Sequence, residues 1–209
     1  MSNEKVLFGY PLEFSDICFI YPPTYNDIAK KGYDKYTELV NILTISQEDL
    51  DDTFNEGNDA FDTIAPDPFE YLIVKASLDE KYEKNVIESF KFFTHLQILI
   101  LFDNFQIVVG DLKDRKIIDK FNYFDFQNLL REANGIPLAE RPNPNMHPKL
   151  KRMKAKGRLR ERVKAKQENI QFNFSSQILA LCNCRIGLTP HEIGKLTYAA
   201  GRGILRMAQ

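Results

Sequence analysis

LQILILFDNFQIVVGD, residues 96–111, with FNYFDFQNLLREANG, residues 121–135, close behind it, is the stretch on which the fold turns. The first piece holds two β-rich runs about the dipeptide Asp103-Asn104. A two-residue break of this kind favours a hairpin, because Asp and Asn tolerate positive φ better than most residues. In the second piece Phe121, Phe124, Leu129, Leu130 and Ala133 share a broad face, and Gly135 suits a left-handed C-terminal cap. A hairpin running into a helix, without regular strand–helix alternation, points to an α+β protein.

Working back towards residue 1, helices dominate. Ser77 with Glu80 forms a capping box ahead of Leu78, Tyr82, Val86, Phe90 and Phe93, which recur at near-helical spacing. Asp67-Pro68 supplies a cap and a first-turn proline, and Ser46 with Asp49 a second cap. Tyr36, Leu39, Val40 and Leu43 fall at i, i+3, i+4 and i+7, one face of an amphipathic helix. Val6–Phe14 and Ile17–Tyr21 are rich in aromatic and β-branched residues and read as short strands, ended by Pro22-Pro23.

Working forward, RPNPNMHP (141–148) has three prolines in eight residues and stops any helix. KLKRMKAKGRLRERVKAK (149–166) follows at once, with ten basic residues and the single acid Glu161. Its apolar positions make only a ragged stripe, so a helix there is expected to be mostly solvated. SSQILALCNCRIG then ends in a glycine, Thr189-Pro190-His191-Glu192 reads as a capping box with proline in the first turn, and Thr197 is placed to cap a helix through Leu205. The expected organisation is therefore predominantly helical α+β. An N-terminal mixed domain with a small β-hairpin spans 1–140, a Pro/Asn break and charged linker helix 141–170, and a C-terminal helical unit 171–209.

Composition narrows the function classes. The chain has 209 residues and a net charge of −1, with sixteen Phe, nine Tyr and no Trp. Its longest uninterrupted apolar run, Ile98–Phe102, is far short of the ~18 residues a membrane span needs, so no membrane partner is expected. The opening MSNEKVLFGYPLEF lacks a basic start followed by an apolar stretch, and no secretory leader is read there. Cys18, Cys182 and Cys184 are too few for a disulfide framework and read as free thiols of a reducing cytoplasm.

No catalytic constellation is legible, and neither enzymatic activity, a metal nor a cofactor is expected. His95, His147 and His191 stand singly, away from any nucleophile motif. Cys182 and Cys184, two apart on a helix, point in nearly opposite directions and have no further ligand at zinc spacing. A calcium-loop alignment on Gly57 fails, because Phe54 takes a ligand position and Thr63 the place of the closing Glu. GRG at 201–203 has neither the strand context nor the Lys-Ser/Thr of a phosphate loop.

Binding remains, and the charge pattern frames it. Of 28 basic residues ten lie in 149–166, leaving eighteen against 28 acids elsewhere, while 48–70 holds nine acids and no base. Lys149, Lys151, Arg152, Lys154, Lys156, Arg158, Arg160, Arg162, Lys164 and Lys166 could neutralise phosphates through counterion release. The C-terminal LTPHEIGKLTYAAGRGILR faintly resembles a helix-turn-helix, but Tyr198 stands where its tight turn wants a small residue. No aromatic residue lies within 149–166 to stack a base, so nucleic acid is the weaker reading. The stronger one is contact with protein: the acidic stretch of the same chain, another copy of it, or an acidic partner. Leu188, Ile193 and Leu196 are candidates for an apolar contact patch beside it, although the usual burial preferences favour core packing of the C-terminal helical unit for the three.

Taken together, RKIIDKFNYFDFQNLLREANGIP (115–137), the proline–asparagine break with its Lys-rich helix, and GLTPHEIGKLTYAAGRGIL (187–205) resemble a family of long-tailed bacteriophage proteins. YPPTYNDIAKKGYDKYTELVNILTISQEDL (21–50) fits the same pattern. The family is the tail assembly chaperones, some of whose members are known only as uncharacterised phage proteins. The resemblance implies a helper in the host cell cytoplasm with no active site. It would bind the tape-measure protein and other tail assembly proteins, keep the former soluble during tail morphogenesis, self-associate as a homo-oligomer, and be absent from the virion. In that family a longer frameshifted product is common. Two alternatives stay open: a phage DNA-binding protein using 149–166 and the C-terminal helices, and a structural tail or baseplate component.

Overall fold

In the computed structural model, which describes residues 4–55, 64–110, 116–141, 147, 150, 153–158, 160, 174–184 and 188–207, the hairpin forms but turns differently from the expectation. Strands β3 (Ile98–Leu101) and β4 (Gln106–Val109) pair antiparallel, with Ile98 opposite Val109 and Leu101 opposite Gln106. Four residues make the connection rather than two. A 3-10 turn takes Phe102–Asn104, and the positive φ falls on Phe105 (φ 49°, ψ 57°), not on Asp103 or Asn104. A third strand, β5 (Lys116–Ile118), adds antiparallel to β4 and sets Ile118 against Ile107, both fully buried.

The following helix, α7 (Tyr123–Ala133), exists, but its buried face is Tyr123, Phe126, Leu130 and Ala133. Phe126 stacks on Phe90 at 5.1 Å between ring centroids. The expected face containing Phe121 and Phe124 is thus rotated, and Phe121 lies before the helix. Gly135 takes φ 62°, and the N–H of Ile136 donates back to Arg131 O at 2.8 Å, closing the helix end as a left-handed cap does.

The helical layer is built from α2 (Tyr25–Lys31), α3 (Tyr33–Thr44), α4 (Gln47–Phe54), α5 (Pro68–Leu78) and α6 (Glu80–Thr94). Helix α3 buries Tyr36, Leu39, Val40 and Leu43 as the spacing predicts. The Ser46–Asp49 capping box and the Asp67 cap with Pro68 in the first turn are both present. The Ser77–Glu80 box is not. Asp79 caps α6 through hydrogen bonds from Lys81 and Tyr82 N–H, while Ser77 Oγ donates to Val74 O inside α5. A carboxylate adjacent to the first turn outcompetes a hydroxyl two residues earlier, and α5 runs on through an exposed Leu78.

The start of the chain also differs. Only Leu12–Phe14 of the expected first strand is extended; it forms β1 and pairs with β2 (Cys18–Ile20), whereas α1 (Glu4–Leu7) is helical and buries Val6. The fold is therefore predominantly helical α+β, with a two-stranded and a three-stranded antiparallel sheet among the described residues.

Three C-terminal helices, α8 (Phe174–Asn183), α9 (Pro190–Lys195) and α10 (Tyr198–Met207), complete it. Thr189 and Glu192 form the expected capping box at α9. Backbone bonds join this unit to the entrance of α2: Tyr25 N–H donates to Leu196 O at 3.1 Å and Tyr198 N–H to Pro23 O at 2.8 Å. A nest of rings fills the junction, with Tyr25, Tyr33, Tyr36, Phe174 and Tyr198 at centroid separations of 5.3–6.2 Å. Leu181, Ile193, Tyr198 and Ala199 therefore contribute to the same apolar core as the helices before 140.

Candidate functional site

The described part of the basic stretch touches the acidic one. Residues 150, 153–158 and 160 are helical. The Ser46 cap starts α4 so that Glu48 and Asp52 fall at i and i+4, on one side of the helix. Arg158 closes on that side. Its Nε and Nη2 reach the two Asp52 carboxylate oxygens at 3.2 and 2.8 Å, and Nη1 reaches Glu48 Oε1 at 3.2 Å. Such a two-pronged pair fixes direction as well as attraction. Asp52 is 10% exposed there, and its hydrogen bond holds the Arg158 guanidinium above its usual pKa. Ala155, one turn earlier, is buried, and Lys154 Nζ lies 3.8 Å from Glu140.

Lys156 and Arg160 are exposed. Lys149, Lys151, Arg152, Arg162, Lys164 and Lys166 lie outside the described residues. The three apolar candidates do not form an open patch: Ile193 is 1% exposed in the core, and Leu188 and Leu196 pack half-buried against it. Short helices such as α9 present one apolar side, and here that side meets α2 and α8.

Composition did not single out a different apolar surface. A groove of about 500 Å³ runs between α5, the β3–β4 turn and the β5–α7 connection. Phe69 forms its buried floor, while Val74, Phe105 and Phe121 stand exposed along it, Phe121 to 82%. Phe121 is posed by its own N–H, which donates to Asp119 Oδ1 at 2.9 Å, and Lys120 Nζ sits 5.6 Å from its ring centre. Phe105 is displayed at the cost of a left-handed backbone, which is rare for a bulky side chain and gathers at functional positions. That positive φ on a phenylalanine is the signal a sequence cannot give.

Among the described residues, no group of three or more His, Cys, Asp or Glu stands where one metal ion could be held, and no helix is long and apolar enough to cross a membrane. Cys18 is buried, and Cys182 and Cys184 are half-buried free thiols. No family model, curated protein or solved structure matches the chain.

Proposed function

We propose that the protein is a non-catalytic chaperone of bacteriophage tail assembly, holding the tape-measure protein soluble in the host cell cytoplasm through the Phe105–Phe121 groove. The observation that carries it is this groove: large apolar side chains kept exposed, with a buried aromatic floor and a polar rim. Exposed apolar surface of this kind marks contact with protein. The groove would take apolar side chains from one face of a client helix. The motif resemblance supplies the biological setting, and the client's identity rests on that resemblance.

The nucleic-acid alternative draws less support from the basic stretch than its composition promised. Arg158 is committed to Asp52 and Glu48, so it is not free to neutralise a phosphate. Co-expression tests the proposal. The tape-measure product should be soluble only when this chain is present, and Phe121→Asp should abolish that effect without altering the fold, since the residue is exposed. Equal solubility with the variant, or recovery of the protein from purified virions, would count against it.

A further inference from the structure

A second concavity, about 810 Å³, lies between the β2–α2 connection and α6. Its lining has the opposite character to the groove. Lys30, Lys31, Lys84 and Lys91 face Asp27 and Glu88, a local surplus of two positive charges. The chain outside 149–166, by contrast, carries ten more acids than bases. Both carboxylates are already engaged. Asp27 Oδ2 accepts from the Thr24 N–H and hydroxyl at 3.0 and 2.7 Å, and Glu88 is shared by Lys31 and Lys35. Lys84 answers Glu80 at 2.6 Å. Lys30 and Lys91 are exposed and have no ion-pair partner among the described residues.

The wall beside these lysines carries a flat ring pair. Tyr21 and His95 stack with centroids 4.2 Å apart and planes 19° from parallel. Both backbones are pinned: Tyr21 N–H donates to Phe93 O at 2.8 Å and His95 N–H to Lys91 O at 3.1 Å. His95 holds φ 60°, a costly conformation for a residue with a side chain.

Uncommitted cations in a concave site attract an anion, and an exposed ring stack offers a platform for another flat ring. Inorganic phosphate would use the first feature and leave the second idle. A nucleotide uses both, and the volume lies within the usual range of small-molecule sites. We propose that this cleft binds a nucleoside phosphate, with the base against the Tyr21–His95 pair and the phosphate held by Lys30 and Lys91. The site is separate from the client groove and does not depend on it.

Calorimetric titration of the purified full chain at low salt tests this, using ADP, inorganic phosphate and a single-stranded thymidine oligonucleotide. ADP should bind saturably, and Lys30→Glu with Lys91→Glu should weaken it at least tenfold; circular dichroism would verify that the doubly substituted chain stays folded. Tyr21→Ala should weaken ADP severalfold and leave inorganic phosphate unchanged. An oligonucleotide that binds more tightly than ADP, and is lost in the same lysine variant, keeps the site and makes a strand its source. The absence of saturable binding by either nucleotide ligand, undiminished binding in the lysine variant, or undiminished ADP binding in Tyr21→Ala each overturns the proposal.

Discussion

Gly201 and Gly203 lie two residues apart on α10 and meet opposite surroundings. A Cβ at Gly201 would overlap the ring and hydroxyl of Tyr25, a side chain 1% exposed, whereas one at Gly203 would meet nothing. Gly203→Ala should therefore stabilise the fold by about 0.5–1 kcal/mol through helix propensity alone. Gly201→Ala should cost about 1–3 kcal/mol by overpacking. Urea unfolding of the two variants reads both signs, and a shared sign would refute the packing account. Arg158→Ala strips Asp52 of its fork and should cost about 1–3 kcal/mol, less in 1 M salt; a loss independent of salt would mean that the ion pair contributes little. At this scale, what was legible was local. Ser46, Asp67 and Thr189 cap helices because an acceptor and its N–H lie within three residues of each other. Phe105 was not legible, because its conformation is imposed by hairpin register, whereas the burial of Ile193 follows the ordinary preference of its side chain.

At the scale of elements, α3 and α6 are joined at their polar edges as well as through their core. Glu88 of α6 takes Lys35 of α3 together with Lys31 at the end of α2, Lys35 Nζ donates to Asn85 Oδ1 at 2.7 Å, and Asn85 Nδ2 donates to Glu38 at 2.7 Å. The hydrogen bond from Lys31, first, and that from Lys35 hold the Glu88 carboxyl below its usual 4.5. Its contribution to stability is thus full above pH 4.5 and lost as pH falls through the lower folded value. Glu88→Gln should flatten that part of the acid-side loss, measured as unfolding midpoints from pH 3 to pH 6; an unchanged slope would dismiss the pair as a source of it. Long, periodic elements were readable from their pattern, as α3 was. The face of α7 was misplaced because its aromatic run offers several overlapping stripes, and tertiary contacts such as the packing of Phe126 on Phe90 and Phe14 select one. Strand β5 is three residues long, too short for a pattern to stand out before its partner is known.

On the scale of the whole molecule, the hairpin beside helices gave the α+β class, and the charge asymmetry allowed opposite stretches to meet without saying where. The contact between α4 and 158 spans 106 residues, so composition alone left open whether it would close within the chain. Cys18 reports on the integrity of the whole. Burial pushes its thiol up to about 12, against the opposing pull of the Lys116 charge. In the native protein at pH 8, a thiol reagent should label the half-buried Cys182 and Cys184 first and reach Cys18 only at the rate of unfolding. Three equally fast thiols would contradict that burial. The ring nest carries a consequence for biosynthesis. Tyr33 and Tyr198 touch across 165 positions of chain. At bacterial or eukaryotic ribosome speeds the earlier tyrosines wait roughly ten to thirty seconds before their lid has been translated. A message cut short upstream of α10 would thus release a polypeptide whose aromatic socket stays open, a ready target for quality-control proteases.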